Sequence, residues 1–224
     1  MIVNRNNFAS VSPTEAYVLG PDGNLWLERF GSGQTTRVQV DGDVQAFQPL
    51  GSAQALVLGL DGNLWLEQGP WGTVPPKRQQ VDRNVNAFQA LGLGTITQIY
   101  VLQDGNLWLE QGPFGQQVPS ARRHVDGQVA DFFGVSGTEV YVLGSDGNLW
   151  LEQGQFGTVP PKRQQIDSDV RDFFVLTNLS GQVFVLGQDG NLWLEQAPAA
   201  QVRPPRQQID DDVLAFLRAE AGQP

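Results

Sequence analysis

The sequence has 224 residues, with 14 Lys and Arg against 24 Asp and Glu, a net charge of −10 and a pI of about 4.4. This acidic balance argues against nucleic acid or an anionic membrane surface as the partner. The absence of Cys excludes disulfide and thiolate chemistry. No stretch approaches the ~20 apolar residues that span a bilayer, and residues 1–7 do not match a cleavable signal peptide. A soluble protein without membrane insertion is expected. Its compartment is undefined, and export by another route or excision from a longer protein stays open.

One heptapeptide, Asp-Gly-Asn-Leu-Trp-Leu-Glu, occurs five times without a change, at intervals of 39 to 43 residues. The copies lie at 22–28, 61–67, 104–110, 146–152 and 189–195. A fixed period of this size is typical of repeat architectures. We therefore expect one repeat domain over residues 1–224.

Each repeat contains four short predicted strands. The first carries Val-x-x-Phe, as in Val44 and Phe47, and the second is an apolar run such as 56–58, whose consecutive apolar residues indicate burial on both faces. Asp-Gly-Asn favours a hairpin, and the Leu-Trp-Leu that follows alternates between two faces. The fourth strand is polar, as expected at a sheet edge, and begins at Arg37, Arg78, Arg122, Arg163 and Arg206. Four antiparallel strands in about 42 residues predict an all-β, five-bladed β-propeller.

The chain ends leave two ways to complete the first blade. The first-strand pattern appears six times if Phe8 is counted, whereas each other strand appears five times. Either residues 4–11 form the innermost strand of the first blade, or residues 212–217 do so and close the ring by pairing the two ends. We favour the second, because Val213 and Phe216 match the pattern better and closure removes exposed edges.

The candidate sites lie where the third strand leads into the long loop. In a propeller the second-to-third hairpin and the blade-to-blade turn share one face, and the first-to-second turn and the long loop share the other. The second, third and fourth repeats each bring a carboxylate, an amide, an aromatic ring and a guanidinium to the long-loop face: Glu67, Gln68, Trp71 and Arg78; Glu110, Gln111, Phe114 and Arg122; Glu152, Gln153, Phe156 and Arg163. Paired donors and acceptors beside an aromatic ring suit a sugar. The first and fifth repeats depart from the set, with Glu28, Phe30 and Arg37, and with Glu195, Gln196 and Arg206.

Each of these residues also has a structural explanation. The Glu and Arg side chains pair across strands as a salt bridge, or the loop aromatics pack under the Pro residues. The repeated Trp fits packing between blades, Asp-Gly-Asn fits hairpin chemistry better than a calcium loop, and the single His124 is expected to be exposed. The other face offers a second repeated set, in which Asn24 and Asp41 are the first members.

Enzyme functions fit the sequence poorly. One His and no Cys exclude a Cys–His pair, and a carboxylate pair for glycoside hydrolysis would need a unique site, whereas this chain repeats the same carboxylates. Repeated equivalent sites instead favour a multivalent binder. No enzyme activity, cofactor or metal is predicted, and a monomer is favoured.

The unit Tyr-Val-Leu-Gly-x-Asp-Gly-Asn-Leu-Trp-Leu-Glu resembles the blade unit of propeller lectins. Blade number and chain length resemble the tachylectin type. This resemblance implies binding of N-acetylated sugars such as N-acetylglucosamine, with glycans or glycoconjugates as partners. The segment is also similar to repeats of streptogramin lyases, whose larger propellers use a His base. The alternative is a structural or protein-interaction propeller of the kind that WD-repeat proteins form, although their Gly-His and Trp-Asp pairs are absent.

Overall fold

The computed structural model describes residues 7–31, 33–72, 76–92, 96–114, 121–157, 161–176, 181–196 and 206–215. Within these ranges the regular structure consists of twenty β-strands in five four-stranded antiparallel sheets, called blades 1 to 5 in chain order. Across the same ranges, no helix has the length and apolar character needed to cross a membrane. The chain divides into two compact units, residues 1–126 and 127–224. A single domain over the whole chain stays a prediction.

The first unit contains blades 1 to 3. The strands of blade 1 are β1 (Phe8–Ser12), β2 (Glu15–Leu19), β3 (Leu25–Phe30) and β4 (Thr35–Asp41). The strands of blade 2 are β5 (Val44–Gly51), β6 (Gln54–Gly59), β7 (Leu64–Gln68) and β8 (Lys77–Asp82). The strands of blade 3 are β9 (Ala87–Leu91), β10 (Gln98–Gln103), β11 (Asn106–Gln111) and β12 (Ala121–Asp126).

The second unit contains blades 4 and 5. The strands of blade 4 are β13 (Val129–Ser136), β14 (Glu139–Gly144), β15 (Leu149–Gln153) and β16 (Lys162–Asp167). The strands of blade 5 are β17 (Val170–Leu176), β18 (Gln182–Gly187), β19 (Leu192–Gln196) and β20 (Arg206–Asp210). In every blade the four strands lie side by side in chain order. The predicted all-β class, four strands per repeat and polar outer edge strand are therefore confirmed.

Within each unit, the Leu pair of a third strand packs against the following blade. In the first unit, Leu25 and Leu27 of β3 share a core with Val57 of β6, which belongs to the following blade. In the second unit, Leu149 and Leu151 of β15 pack in the same way with β17 and β18. Burying a Leu side chain stabilises the fold by about 1.5–3 kcal/mol, so these contacts fix the Leu pair toward the next blade. The Trp and Glu between and after them lie on the opposite face of the strand, because side chains alternate along a strand.

Hydrogen bonds between loops confirm the predicted division of turns between the two faces. The Val44 N–H donates to the Gly23 carbonyl, which joins the blade-to-blade turn to the hairpin. At the other end of the strands, the Gly69 N–H donates to the Ala53 carbonyl and joins the long loop to the first-to-second turn.

The expectation that residues 212–217 complete blade 1 is wrong. The innermost position beside β2 is taken by β1, with Phe8 opposite Val18 and Ser10 opposite Ala16. A hairpin through residues 13–14 closes a very short loop, so the local partner costs little chain entropy. Residues 213–215 form no strand, and residues 4–6, 216 and 217 lie outside the described ranges.

Candidate functional site

A repeated set of side chains lies on the face of each third strand opposite to its Leu pair. Each heptapeptide Glu is the cross-strand partner of the Arg of the fourth strand, as Glu67 is of Arg78. The guanidinium carbon of that Arg lies 3.8–4.3 Å from the centre of the heptapeptide Trp ring, which is cation–π geometry. The five pairs are Arg37 on Trp26, Arg78 on Trp65, Arg122 on Trp108, Arg163 on Trp150, and Arg206 on Trp193. The Trp ring is therefore covered by a cation.

An Asp from the preceding blade completes the set at three places. Asp41 Oδ2 lies 3.6 Å from Arg78 Nη1, Asp82 Oδ2 lies 3.6 Å from Arg122 Nη2, and Asp167 Oδ2 lies 3.7 Å from Arg206 Nη1. The three places are called the Asp41, Asp82 and Asp167 sites. Asp41 lies opposite Leu25 beside the hairpin that contains Asn24, which is the end of the blade where the sequence placed it. Arg78 crosses the Trp ring toward the end of the preceding fourth strand, where Asp41 lies.

The Glu of each site is buried beside this Asp. Glu67, Glu110 and Glu195 are 0–1% exposed, and their carboxyl oxygens accept no hydrogen bond from any described residue. Burial, and then the neighbouring Asp41 carboxylate, raise the pKa of Glu67 to about 9 against the opposing effect of Arg78. Burial and a neighbouring Asp, which is Asp82 for Glu110 and Asp167 for Glu195, raise the pKa of each of these carboxyls to about 8. These shifts favour the protonated form of each Glu at neutral pH, beside the pair formed by the Asp and the guanidinium.

The Asp167 site opens into a cleft of about 630 Å³ within the second unit. Its lining includes Asp167, Ser168 and Asp169 from the end of blade 4, and Gly187, Gln188, Asp189, Trp193, Glu195 and Arg206 from blade 5. The lining thus includes four carboxyl groups, one guanidinium and one Trp side chain. The lining therefore offers mainly hydrogen-bond acceptors to a ligand.

The Asp82 site is filled by a side chain of the protein itself. Gln103 Nε2 donates to Asp82 Oδ2 at 3.1 Å and to the Arg83 carbonyl, and Gln103 Oε1 accepts from Arg122 Nη2. Arg122 Nε also lies 3.5 Å from Glu110 Oε1. The amide of Gln103 thus connects the Asp of one blade to the Arg of the next.

The hairpin sequence explains why only the third repeat carries such a glutamine. In the other four repeats, a Gly lies two residues before the Asp of Asp-Gly-Asn. A Cβ on this Gly would lie 2.4–2.6 Å from Oδ1 of that Asp. That Asp accepts the backbone N–H of the Asn and pairs with its side-chain amide, as Asp189 does with Asn191 at 3.0 and 2.5 Å. The third repeat lacks this Gly, and Gln103 directly precedes a two-residue turn with positive φ at Asp104 and Gly105.

The Asp side chains of four Asp-Gly-Asn hairpins accept hydrogen bonds within the turn. Side-chain and backbone hydrogen bonds from Asn24 lower the pKa of Asp22, and the same Asx bonds lower those of Asp61, Asp146 and Asp189. The Asn24 side chain accepts in turn from Gln39 Nε2 at 2.9 Å. No cluster of three or more His, Asp or Glu suited to a metal ion occurs among the described residues. His124, which replaces that Gln in blade 3, is exposed and lies edge-on to Trp108 with ring centres 4.9 Å apart.

The loop aromatics, expected to be ligand-facing, pack against the protein. Trp71 lies on the core between blades 1 and 2, edge-on to Tyr17, and its Nε1 donates to the Ser52 carbonyl at 2.8 Å. Phe114 packs on the core between blades 2 and 3, and Phe156 is 0% exposed. Packing, the second explanation that the sequence allowed, describes these positions. Ligand binding by these rings stays a prediction.

The remaining predicted site residues differ from one another in burial and in hydrogen-bond partners. Gln68 and Gln111 are half-buried, Gln153 Nε2 donates to Glu139 Oε2 at 2.9 Å, and Gln196 is exposed. Arg163 Nε pairs with Glu152 Oε1 at 3.2 Å, which matches the cross-strand salt bridge that the sequence allowed. In blade 1, Glu28 is half-buried and Phe30 is 41% exposed. Residues 197–205, which include the altered loop of the fifth repeat, lie outside the described ranges.

Sequence reasoning missed two features of these sites. The repeated Asp that ends each fourth strand was assigned to the other face, and its approach to the Arg of the next blade was not foreseen. The third repeat lacks the Gly that stands two residues before the hairpin Asp in the other repeats. This missing Gly was the available signal that Gln103 fills the Asp82 site.

Comparison with known proteins supports the fold. No protein-family model and no curated protein matches the chain. Among solved structures, it is similar to the WD40 β-propeller domain of Doa1 (TM-score 0.58, 13% identity, 84% of this chain and 63% of that one). It is also similar to the N-terminal domain of Nup159 (0.62, 10%, 93% and 62%) and to Hsv2 of Kluyveromyces lactis (0.57, 15%, 84% and 61%). The chain thus spans about three fifths of their lengths, and at these identities the likeness shows the β-propeller fold alone.

Proposed function

We propose that this protein is a non-enzymatic, multivalent binding propeller whose ligands are carbohydrates. The observation that carries the proposal is the recurrence of one Asp–Glu–Arg–Trp set between neighbouring blades, at the Asp41, Asp82 and Asp167 sites, of which Gln103 fills the Asp82 site. Recurrent equivalent sites serve avidity, whereas catalysis needs one asymmetric site. The resemblance to tachylectin-type lectins supports the same function.

The chemistry of the Asp167 site supports a sugar over other small ligands. Its lining combines Asp and Glu acceptors, a guanidinium donor and the Trp193 side chain in a cleft of about 630 Å³. Hydroxyl groups need donors and acceptors together, and carbon-bound hydrogens of a sugar ring pack on an aromatic edge. The cleft volume lies within the range usual for small-molecule sites.

A glycan array followed by titration calorimetry tests the proposal. We expect a hit with a single-site Kd in the ~mM to μM range and more than one site per chain. Trp193→Ala should remove one site. Trp108→Ala is the matched control, because the same Trp lies under Arg122 in the site that Gln103 fills, and this variant should keep the stoichiometry of the unmodified chain.

A protein-binding scaffold is the second candidate. It is supported by the fold likeness to WD40 propeller domains and by apolar side chains at the surface, of which Leu60 is 65% exposed. Absence of binding across a broad array, together with capture of one protein partner that Leu60→Asp weakens, would replace the carbohydrate proposal with this one.

A further inference from the structure

Gln103 shows which chemical group fits between the Asp and the Arg of neighbouring blades. Its Nε2 donates one hydrogen bond to the Asp82 carboxylate and another to the Arg83 carbonyl. The nitrogen therefore lies between a carboxylate and a main-chain carbonyl, both of which are acceptors. In this site the protein provides its own nitrogen donor.

The Asp167 site has the same acceptors without such a donor. Asp167 and the following Ser168 occupy the repeat positions of Asp82 and Arg83, and both line the open cleft. Gln188, which comes from the hairpin of blade 5, directs its Nε2 to the Val170 carbonyl at 3.2 Å. Its amide nitrogen is thus used elsewhere, and the equivalent space remains part of the cleft.

The buried carboxyl of Glu195 also faces this space. It lines the cleft, is 1% exposed, and neither of its oxygens accepts a hydrogen bond from a described residue. A buried polar group without a partner costs about 1–3 kcal/mol, so a ligand that supplies a donor would recover part of this cost. Asp169 and Asp189 add two more carboxylates to the lining, against Arg206 as the one basic side chain there.

We infer that the Asp167 site binds an ammonium group, whose nitrogen takes the place that Gln103 Nε2 has in the Asp82 site. This inference rests on the proposed function and makes its ligand class an amino sugar with a free amine. An ammonium group supplies three donors and a positive charge to the Asp167 carboxylate, the Ser168 carbonyl and Glu195. An N-acetylated amine supplies one N–H, no charge and a bulky acetyl group.

Calorimetric titration with glucosamine, N-acetylglucosamine and glucose at 150 mM salt tests this preference. We expect glucosamine to bind about tenfold more tightly than the two neutral sugars, because charge-assisted hydrogen bonds are about twice as strong as neutral ones. Asp167→Asn should remove the preference, and Glu195→Gln should weaken it, with folding of both variants checked by thermal melting. Asp82→Asn is the matched control and should retain the preference.

Removing the internal donor gives an independent test. Gln103→Ala should open the Asp82 site and increase the glucosamine stoichiometry by one per chain, whereas Gln188→Ala should not. An unchanged stoichiometry in a folded Gln103→Ala variant would contradict the equivalence of the two sites.

The outcomes separate the inference from the proposed function. Equal or tighter binding of N-acetylglucosamine would overturn the ammonium inference and leave carbohydrate binding in place. Binding of methylammonium that depends on Asp167, with no sugar bound, would support the inference and overturn the carbohydrate proposal. No binding of any of these compounds would overturn both.

Discussion

The Asp82 and Asp167 sites are built from the same repeat, yet one is filled and the other is open. Both have an Asp at the end of a fourth strand, a buried Glu and an Arg stacked on a Trp in the next blade. In the Asp82 site, Gln103 connects the Asp to the Arg. The difference arises from one residue of hairpin length, so the strands specify the site and the hairpin decides its occupancy.

The largest expected effect comes from removing the internal occupant. Gln103→Ala should lower the free energy of unfolding by about 2 kcal/mol, because Asp82 and Arg122 both lose charged hydrogen bonds. Gln188→Ala, at the open site, should cost less than about 0.5 kcal/mol. Urea denaturation of the two variants measures the difference. Equal losses would mean that Gln103 contributes no more to stability than Gln188 does.

The buried carboxyls should make stability fall as pH rises. The pKa of Glu195 is raised in the folded chain from its ordinary value of 4.5 to about 8, so the folded state binds the extra proton. The stability that depends on this proton is fully present below about pH 4.5 and is lost as pH rises toward 8. Glu195→Gln should flatten this decline and stabilise the chain at pH 8 by on the order of 1–2 kcal/mol.

The filled site offers a comparison for this pH effect. Glu110 has its pKa raised to about 8 by burial and by Asp82, so Glu110→Gln should flatten the decline to a similar extent. Chemical denaturation at pH 5 and pH 8 measures both variants. Unchanged pH profiles in the two would show that these carboxyls are ionised in the folded protein at neutral pH.

The glycine of the open-site hairpin should matter less. Gly187→Ala places a Cβ 2.4 Å from Asp189 Oδ1, so the Asp side chain must move and release Asn191. We expect a loss of about 1 kcal/mol, the usual value of such a local hydrogen bond. In an Asp189→Ala background the same substitution should be nearly neutral, and a double-mutant cycle measures this coupling. Additive losses would exclude the proposed clash.

The smallest expected effect tests the stacked guanidinium. Arg206→Lys removes the planar contact with Trp193, and it should cost about 0.5 kcal/mol because the site is open to solvent. Arg122→Lys should cost about 1 kcal/mol, since it also loses the bond to Gln103 and the approach to Glu110. Thermal melts of both variants at one pH measure the ratio, and the reverse order would contradict the greater connectivity of the filled site.

Most of the fold was predictable because the same pattern of four strands recurs in five repeats. The period, the apolar second strand and the Asp-Gly-Asn hairpin each require only local chemistry, and together they predicted four-stranded blades. The choice of partner for β2 was not predictable from pattern similarity. Val213 and Phe216 match the first-strand pattern better, but Phe8–Ser12 is adjacent in the chain.

The candidate site was predicted only in part. Cross-strand pairing of Glu67 with Arg78 follows from the alternation of strands. The approach of Asp41 to Arg78 depends on how two blades pack, which no spacing within one repeat reveals. Trp71 and Phe156 were placed near a ligand by their residue type, whereas burial decided their positions.

The shortened hairpin of the third repeat has a genetic consequence. Val101 still pairs with Trp108 there, as Val142 pairs with Trp150 and Val185 with Trp193, so the missing residue does not shift the strand register. Loss of a single in-frame codon can therefore silence one position of the array while the surrounding sheet is kept. In a chain of near-identical repeats, the number of open sites can then change one step at a time without the appearance of a new fold.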